Sequence, residues 1–128
     1  MHESKALLER GFEKLEVAKF LFENGYYSDS VSRAYYAMFF AARALLVFKK
    51  IYPKTHRGTI TQIGLEFVNK GYLDMVYAKA LATAQEDREE ADYGVVSKIT
   101  KEEAEEILND GEAFIEKTKD VFKLLGEE

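Results

Sequence analysis

Apolar residues recur three and four positions apart along this chain, the spacing of helices rather than strands. Leu8, Phe12, Leu15, Ala18 and Phe22 share one face. They predict a first helix from about Ser4 to Asn24, stopped at Gly25, a residue suited to left-handed backbone. Tyr26 and Tyr27 form the connection. Ser28 or Asp29 is expected to cap a second helix that continues to about Lys50. Ile51 to Lys54 reads as a loop shaped by Pro53, and Thr55 as the cap of a third helix. Ile60, Ile63, Gly64, Phe67 and Val68 form that helix's face, and Asn69 to Gly71 end it. A fourth helix presents Leu73, Val76, Tyr77, Ala80, Leu81 and Ala84, ending near Asp92. Thr100 followed by Glu103 is a capping box that opens a fifth helix. Its stripe is Ala104, Ile107, Leu108, Gly111, Ile115, Thr118, Phe122 and Leu125.

Ser32 to Phe48, SRAYYAMFFAARALLVF, departs from this amphipathic pattern. It is apolar on almost every side, so it belongs in the middle of a bundle, packed on several faces. Its alanines allow neighbouring backbones to come close. Short connections make neighbouring helices antiparallel. The expected fold is all-α, an antiparallel up-and-down bundle of four to five helices forming one domain over residues 1–128. The first two helices carry enough apolar surface for a homodimer as well.

Composition narrows the chemistry. Hydrophobic residues make up 47% and charged residues 32% of 128 positions, which suits a globular rather than a disordered chain. Without cysteine there is no disulfide, thiolate nucleophile or thiolate zinc site. The longest uninterrupted apolar run, Ala34 to Ala42, has nine residues, against the roughly 20 of a membrane span. The N-terminal stretch has acidic residues at Glu3, Glu9 and Glu13 and no apolar core of a signal peptide. The expected location is therefore cytoplasmic, away from a membrane.

Charge is unevenly spread. The net value is −5, yet residues 31–65 hold Arg33, Arg43, Lys49, Lys50, Lys54 and Arg57 and no acid. Residues 86–128 contain fifteen acids against six bases. Such asymmetry suits either an anionic ligand on one side, subunit attraction, or charge complementarity between helices of one monomer.

Arg88 stands out among single residues. Extending the fourth helix's apolar face beyond Leu81 and Ala84 reaches Arg88 where a core residue is due, with Asp92 one turn on and Tyr93 beside it. Two readings are open: an internal Arg–Asp pair, or a guanidinium lining a cleft for phosphate. Lys54, His56 and Arg57 flank the start of the third helix, either as an anion site or as a screened cap. Arg33, Tyr36 and Arg43 lie along the second helix, as structural residues pairing with acids or facing a subunit contact. The acidic clusters around Glu86–Glu90 and Glu102–Glu106 read as solvated faces, not metal sites, and no cofactor is expected. Neither histidine has the Glu-x-x-His context of a di-iron bundle, and phosphate-loop and dinucleotide glycine motifs are absent.

The run SRAYYAMFFAARALL, then PKTHRG, then DREEADYG before a last long helix, resembles the HEPN domain family (higher eukaryotes and prokaryotes nucleotide-binding) over essentially the whole chain. The resemblance implies a helical bundle that usually dimerises. Many prokaryotic members are encoded beside a minimal nucleotidyltransferase, and such pairs often act as toxin and antitoxin. Other members are metal-independent endoribonucleases, whose motif is an Arg, four to six residues, then a His, often with a Tyr two residues later. Arg88 matches the motif Arg and Tyr93 the Tyr, but Glu89, Glu90, Ala91 and Asp92 supply no histidine. Nucleotide or RNA phosphate binding through Arg88, Asp92 and Tyr93 is the leading expectation. Endoribonuclease activity and a purely structural module are the alternatives.

Overall fold

The computed structural model describes residues 2–94 and 99–126. Five α-helices follow one another: α1 His2–Glu23, α2 Tyr27–Phe48, α3 His56–Ile63, α4 Met75–Tyr93 and α5 Lys101–Leu124. Among the described residues there is no strand. The architecture is the expected all-α, up-and-down bundle. The α4–α5 connection at residues 95–98 lies outside the described residues.

α2 is the hub, packing on α1, α5, α4 and α3. Val31, Ala34, Tyr35, Ala37, Met38, Ala41, Ala42, Ala44, Leu45 and Leu46 are all fully buried. Close approach is what its alanines provide. A Cβ added at Gly11 of α1 would sit 3.0 Å from the Ala37 carbonyl oxygen, and one at Gly111 of α5 3.4 Å from that of Ala34. By length and composition α2 could also cross a membrane, but 67% of its apolar window is buried inside the bundle. The other helices are what cover it.

Local signals explain most boundaries. Gly25, at φ 83°, turns α1 into α2. The Thr55 side chain accepts from the Gly58 N–H at 2.8 Å and caps α3. Thr100 and Glu103 form the reciprocal capping box of α5, at 3.0 and 2.9 Å. α2 differs from expectation: it starts at Tyr27 after Tyr26, with no side-chain cap, because packing of Tyr27 on Phe22 (ring centres 5.5 Å apart) already sets the turn. α3 widens into a π-helical turn over Gly64–Val68. That turn buries Phe67 and brings the Glu66 carbonyl to the Lys49 ammonium at 3.1 Å.

Two predicted faces are rotated. In α1 the buried residues are Ser4, Leu7, Gly11, Leu15 and Ala18, with Leu8, Phe12 and Phe22 only partly buried. The glycine permits the closest α2 approach, so the seam runs through it. In α4, Leu73 is buried just before the helix starts, while Val76 faces outward, 62% exposed. The fourth helix begins later than its apolar pattern suggests.

Candidate functional site

Two helices, α4 and α3, converge on α2 around Arg88. The α4 helix places Arg88 one turn beyond Ala84, on the face turned toward α2, and the residue is 6% exposed. Its guanidinium carbon lies 5.4 Å from the Tyr35 ring centre, 5.7 Å from Tyr36 and 5.8 Å from Tyr93. These distances place the cation among electron-rich ring faces in partly desolvated surroundings.

Its polar partners are few. Nη1 donates to Asp92 Oδ2 at 3.4 Å and Nη2 to Gln85 Oε1 at 3.1 Å. Among the described residues Nε is buried without a partner. A strong Arg–carboxylate pair is bidentate, with N···O near 2.8 Å. This one is single and long, and the same Asp92 oxygen accepts from Ser32 Oγ at 3.5 Å. The internal pair therefore exists but leaves much of the guanidinium unsatisfied. Burial by itself would lower the Arg88 pKa. Tyr36, Asp92 and Tyr35 outweigh it, and the net shift is upward, so the group is charged at any physiological pH.

The α3 helix supplies a residue that local motif spacing does not reveal. His56 opens α3 and turns toward α2, where Nδ1 hydrogen-bonds the Tyr35 hydroxyl at 2.5 Å. Its ring stacks on Phe39, with centres 4.3 Å apart at 22°. Tyr36 meets it edge-on at 6.0 Å. Burial lowers the His56 pKa, and the Arg88 charge lowers it further. Burial also raises the Tyr35 pKa, against the pull of Arg88. At neutral pH the pair is thus an uncharged imidazole held by a protonated phenol. When Nδ1–H donates to the Tyr35 oxygen, Nε2 keeps a free lone pair, the form a general base requires.

The expected site residues therefore regroup. Arg88, Asp92, Tyr93, Tyr36 and His56 belong to one cluster. Gln85, Ser32, Tyr35 and Phe39 join it, although nothing in their local sequence distinguishes them from core or surface residues. Arg57 and Lys54 point elsewhere, into an open groove beside α3. Arg43 lies between them, with its guanidinium 5.9 Å from the Phe39 ring centre, and lines a small cleft together with Tyr52 and Pro53. Among the described residues neither Arg33 nor Arg43 pairs with an acid, which corrects one structural reading of these arginines. Arg33 is solvent-exposed, and Arg43 lies over an aromatic ring. No group of three or more histidine and carboxylate side chains among the described residues is placed to hold a metal.

Comparison of the sequence with known proteins matches the chain to a family. The HEPN domain matches residues 4–121. A Methanocaldococcus jannaschii protein named "Putative toxin MJ0605" is 45% identical over 121 residues, covering 94% of this chain and 90% of its own length. A second from the same organism, "Putative toxin MJ0142", is 38% identical, covering 91% of this chain and 80% of its own length. A UPF0332 protein from Archaeoglobus fulgidus is 40% identical, covering 93% and 94%. With its five-helix bundle and a match spanning nearly its whole length, this chain belongs to the HEPN domain family.

Proposed function

We propose that the Arg88 cluster binds the phosphate of a nucleotide or RNA, and that the protein acts as the HEPN toxin component of a pair with a nucleotidyltransferase. The observation that carries this reading is the buried Arg88 guanidinium, with Nε unpartnered among the described residues, one neutral hydrogen bond to Gln85, and a single long contact to its carboxylate Asp92. A planar donor fork left open in low-dielectric surroundings favours a bidentate oxyanion. Asp92 orients the guanidinium, and Tyr93, 74% exposed, flanks the opening. The names of the M. jannaschii relatives support the toxin role. A homodimer fits the outward apolar face of α1, where Val17 and Phe20 stand exposed one turn apart. Calorimetric titration with ATP, GTP and short RNAs tests the site. Arg88→Ala should weaken binding roughly tenfold or more, as expected for losing charge-assisted hydrogen bonds, with helicity retained by circular dichroism. Equal affinity in wild type and variant would overturn the reading.

The placement of His56 favours a second reading, metal-independent RNA cleavage. His56 Nε2 would take the proton of a ribose 2′-hydroxyl. The 2′ oxygen then bonds to the adjacent phosphorus as the bond to the 5′ oxygen breaks, and that oxygen takes a proton from water. Arg88 would neutralise the charge growing on the phosphate. A spatially supplied histidine replaces the one missing after Arg88. Cleavage of RNA in EDTA that is lost in both Arg88→Ala and His56→Ala is the expected result. Cleavage independent of either residue would remove this reading.

A further inference from the structure

The groove beside α3 and the Arg88 cluster meet at the first turn of α3. His56 and Arg57 are consecutive on the first turn of α3. His56 faces the Arg88 cluster, whereas Arg57 lines an open groove of about 500 Å³ with Tyr52, Lys54, Thr61 and Gln62. Between the two lie two arginines and a run of rings. Arg88 lies by Tyr36, the neutral His56 stacks on Phe39, and Arg43 sits over Phe39 and lines a cleft that Tyr52 also lines. Tyr52 is 57% exposed at the groove wall, with its hydroxyl donating to Glu3 Oε1 of α1 at 3.4 Å. Among the described residues, Lys54 and Arg57 form no ion pair with an acid. Residues 31–65 contain no carboxylate, although Glu3 of α1 meets the Tyr52 hydroxyl at the groove wall.

Positive groups that track a backbone, interleaved with rings that accept bases, are the chemistry of single-stranded nucleic-acid recognition. An acidic peptide would use the cations but leave the exposed Tyr52 ring without a partner. We infer that the protein takes a single-stranded RNA of several nucleotides, with one phosphate at Arg88 and a neighbouring nucleotide in a second subsite where Tyr52 stacks the base and Lys54 and Arg57 hold its phosphates. The inference rests on Arg88 binding phosphate and adds strand length as the determinant of affinity.

The experiment compares AMP with RNA oligomers of increasing length, by calorimetry and fluorescence anisotropy, on the full chain. Affinity should rise with length until the second subsite is filled. Tyr52→Ala should weaken oligomer binding by about fivefold or more while leaving AMP affinity unchanged. The double variant Lys54→Ala/Arg57→Ala should lower the salt dependence of oligomer binding by about one to two counterions, again without effect on AMP. All three residues are at the surface, and melting curves confirm that the variants fold. AMP binding with no gain for longer RNA overturns the second subsite and leaves the Arg88 reading standing. A groove that binds a poly-glutamate peptide as tightly as RNA also overturns it, as do groove variants with unchanged oligomer affinity. Failure of wild type to bind AMP or any oligomer removes the Arg88 reading and the inference together.

Discussion

At the scale of single residues, the site is a contest between burial and charge. Arg88 keeps its charge in an apolar place because rings and one carboxylate surround it. His56, next to it, is pushed the other way and stays neutral. This has a consequence for stability. The folded His56 pKa lies below its unfolded value, so below about pH 6.5 the unfolded chain binds more protons. Its contribution is therefore present above that pH and lost as pH falls. Urea midpoints of wild type and His56→Gln, taken between about pH 5 and 7.5, should converge in acid, with the wild type showing the steeper dependence. Parallel curves would show that the histidine is not held neutral. Arg88 was legible in the sequence, because a guanidinium interrupting an apolar helical face is a local signal. His56 as its companion was not, because the two are far apart in the chain and meet only across α2.

At the scale of elements, two seams are tuned in opposite senses. The α1–α2 seam depends on missing side chains. Alanine at Gly11 would gain about 1 kcal/mol of helix propensity. Its Cβ, however, would press on the Ala37 carbonyl at 3.0 Å, and moving backbone in a packed seam costs more, about 1–3 kcal/mol. Gly11→Ala should lower stability in chemical denaturation. Gly64→Ala, where a Cβ meets nothing within 4 Å, should not. Stabilisation by Gly11→Ala would mean the helices are farther apart than described. On α4 and α5 the strain is electrostatic. Burial raises the Asp87 pKa, and Glu103, Glu86, Glu106 and Glu90 raise it further. Ionised Asp87 therefore disfavours the fold at neutral pH, and this cost vanishes once the group is protonated. Asp87→Asn should raise Tm at pH 7 and leave it unchanged below the ordinary carboxylate value of 3.8. A higher Tm at both pH values would point to packing instead. Caps at Thr55 and Thr100 could be read from short motifs because a cap is satisfied within three residues. The α1 face was misread because the buried stripe runs through Ser4 and Gly11, residues that hydrophobicity alone ignores.

At the scale of the molecule, charge and apolar surface are segregated. Residues 31–65 of α2 and α3 carry no acid, whereas acids of α4 and α5 crowd around Asp87. Phe20, 63% exposed on α1, stands outside the monomer's core. With the proposed homodimer, sedimentation equilibrium at micromolar concentration should give twice the chain mass, and Phe20→Glu should shift it to the monomer. A wild-type monomer would dismiss the dimer.

The sequence by itself determined the helical period, the number of helices, the hub position of α2 and the family, because each follows from local spacing and a long apolar run. It also marked Arg88, which violates its own helix pattern. Only the tertiary structure decided what surrounds that arginine. Local periodicity reports which face of a helix turns inward, not which neighbour it meets. The packing of α3 and α4 against the same stretch of α2 therefore had to be seen before His56, Tyr35 and Arg88 became one cluster.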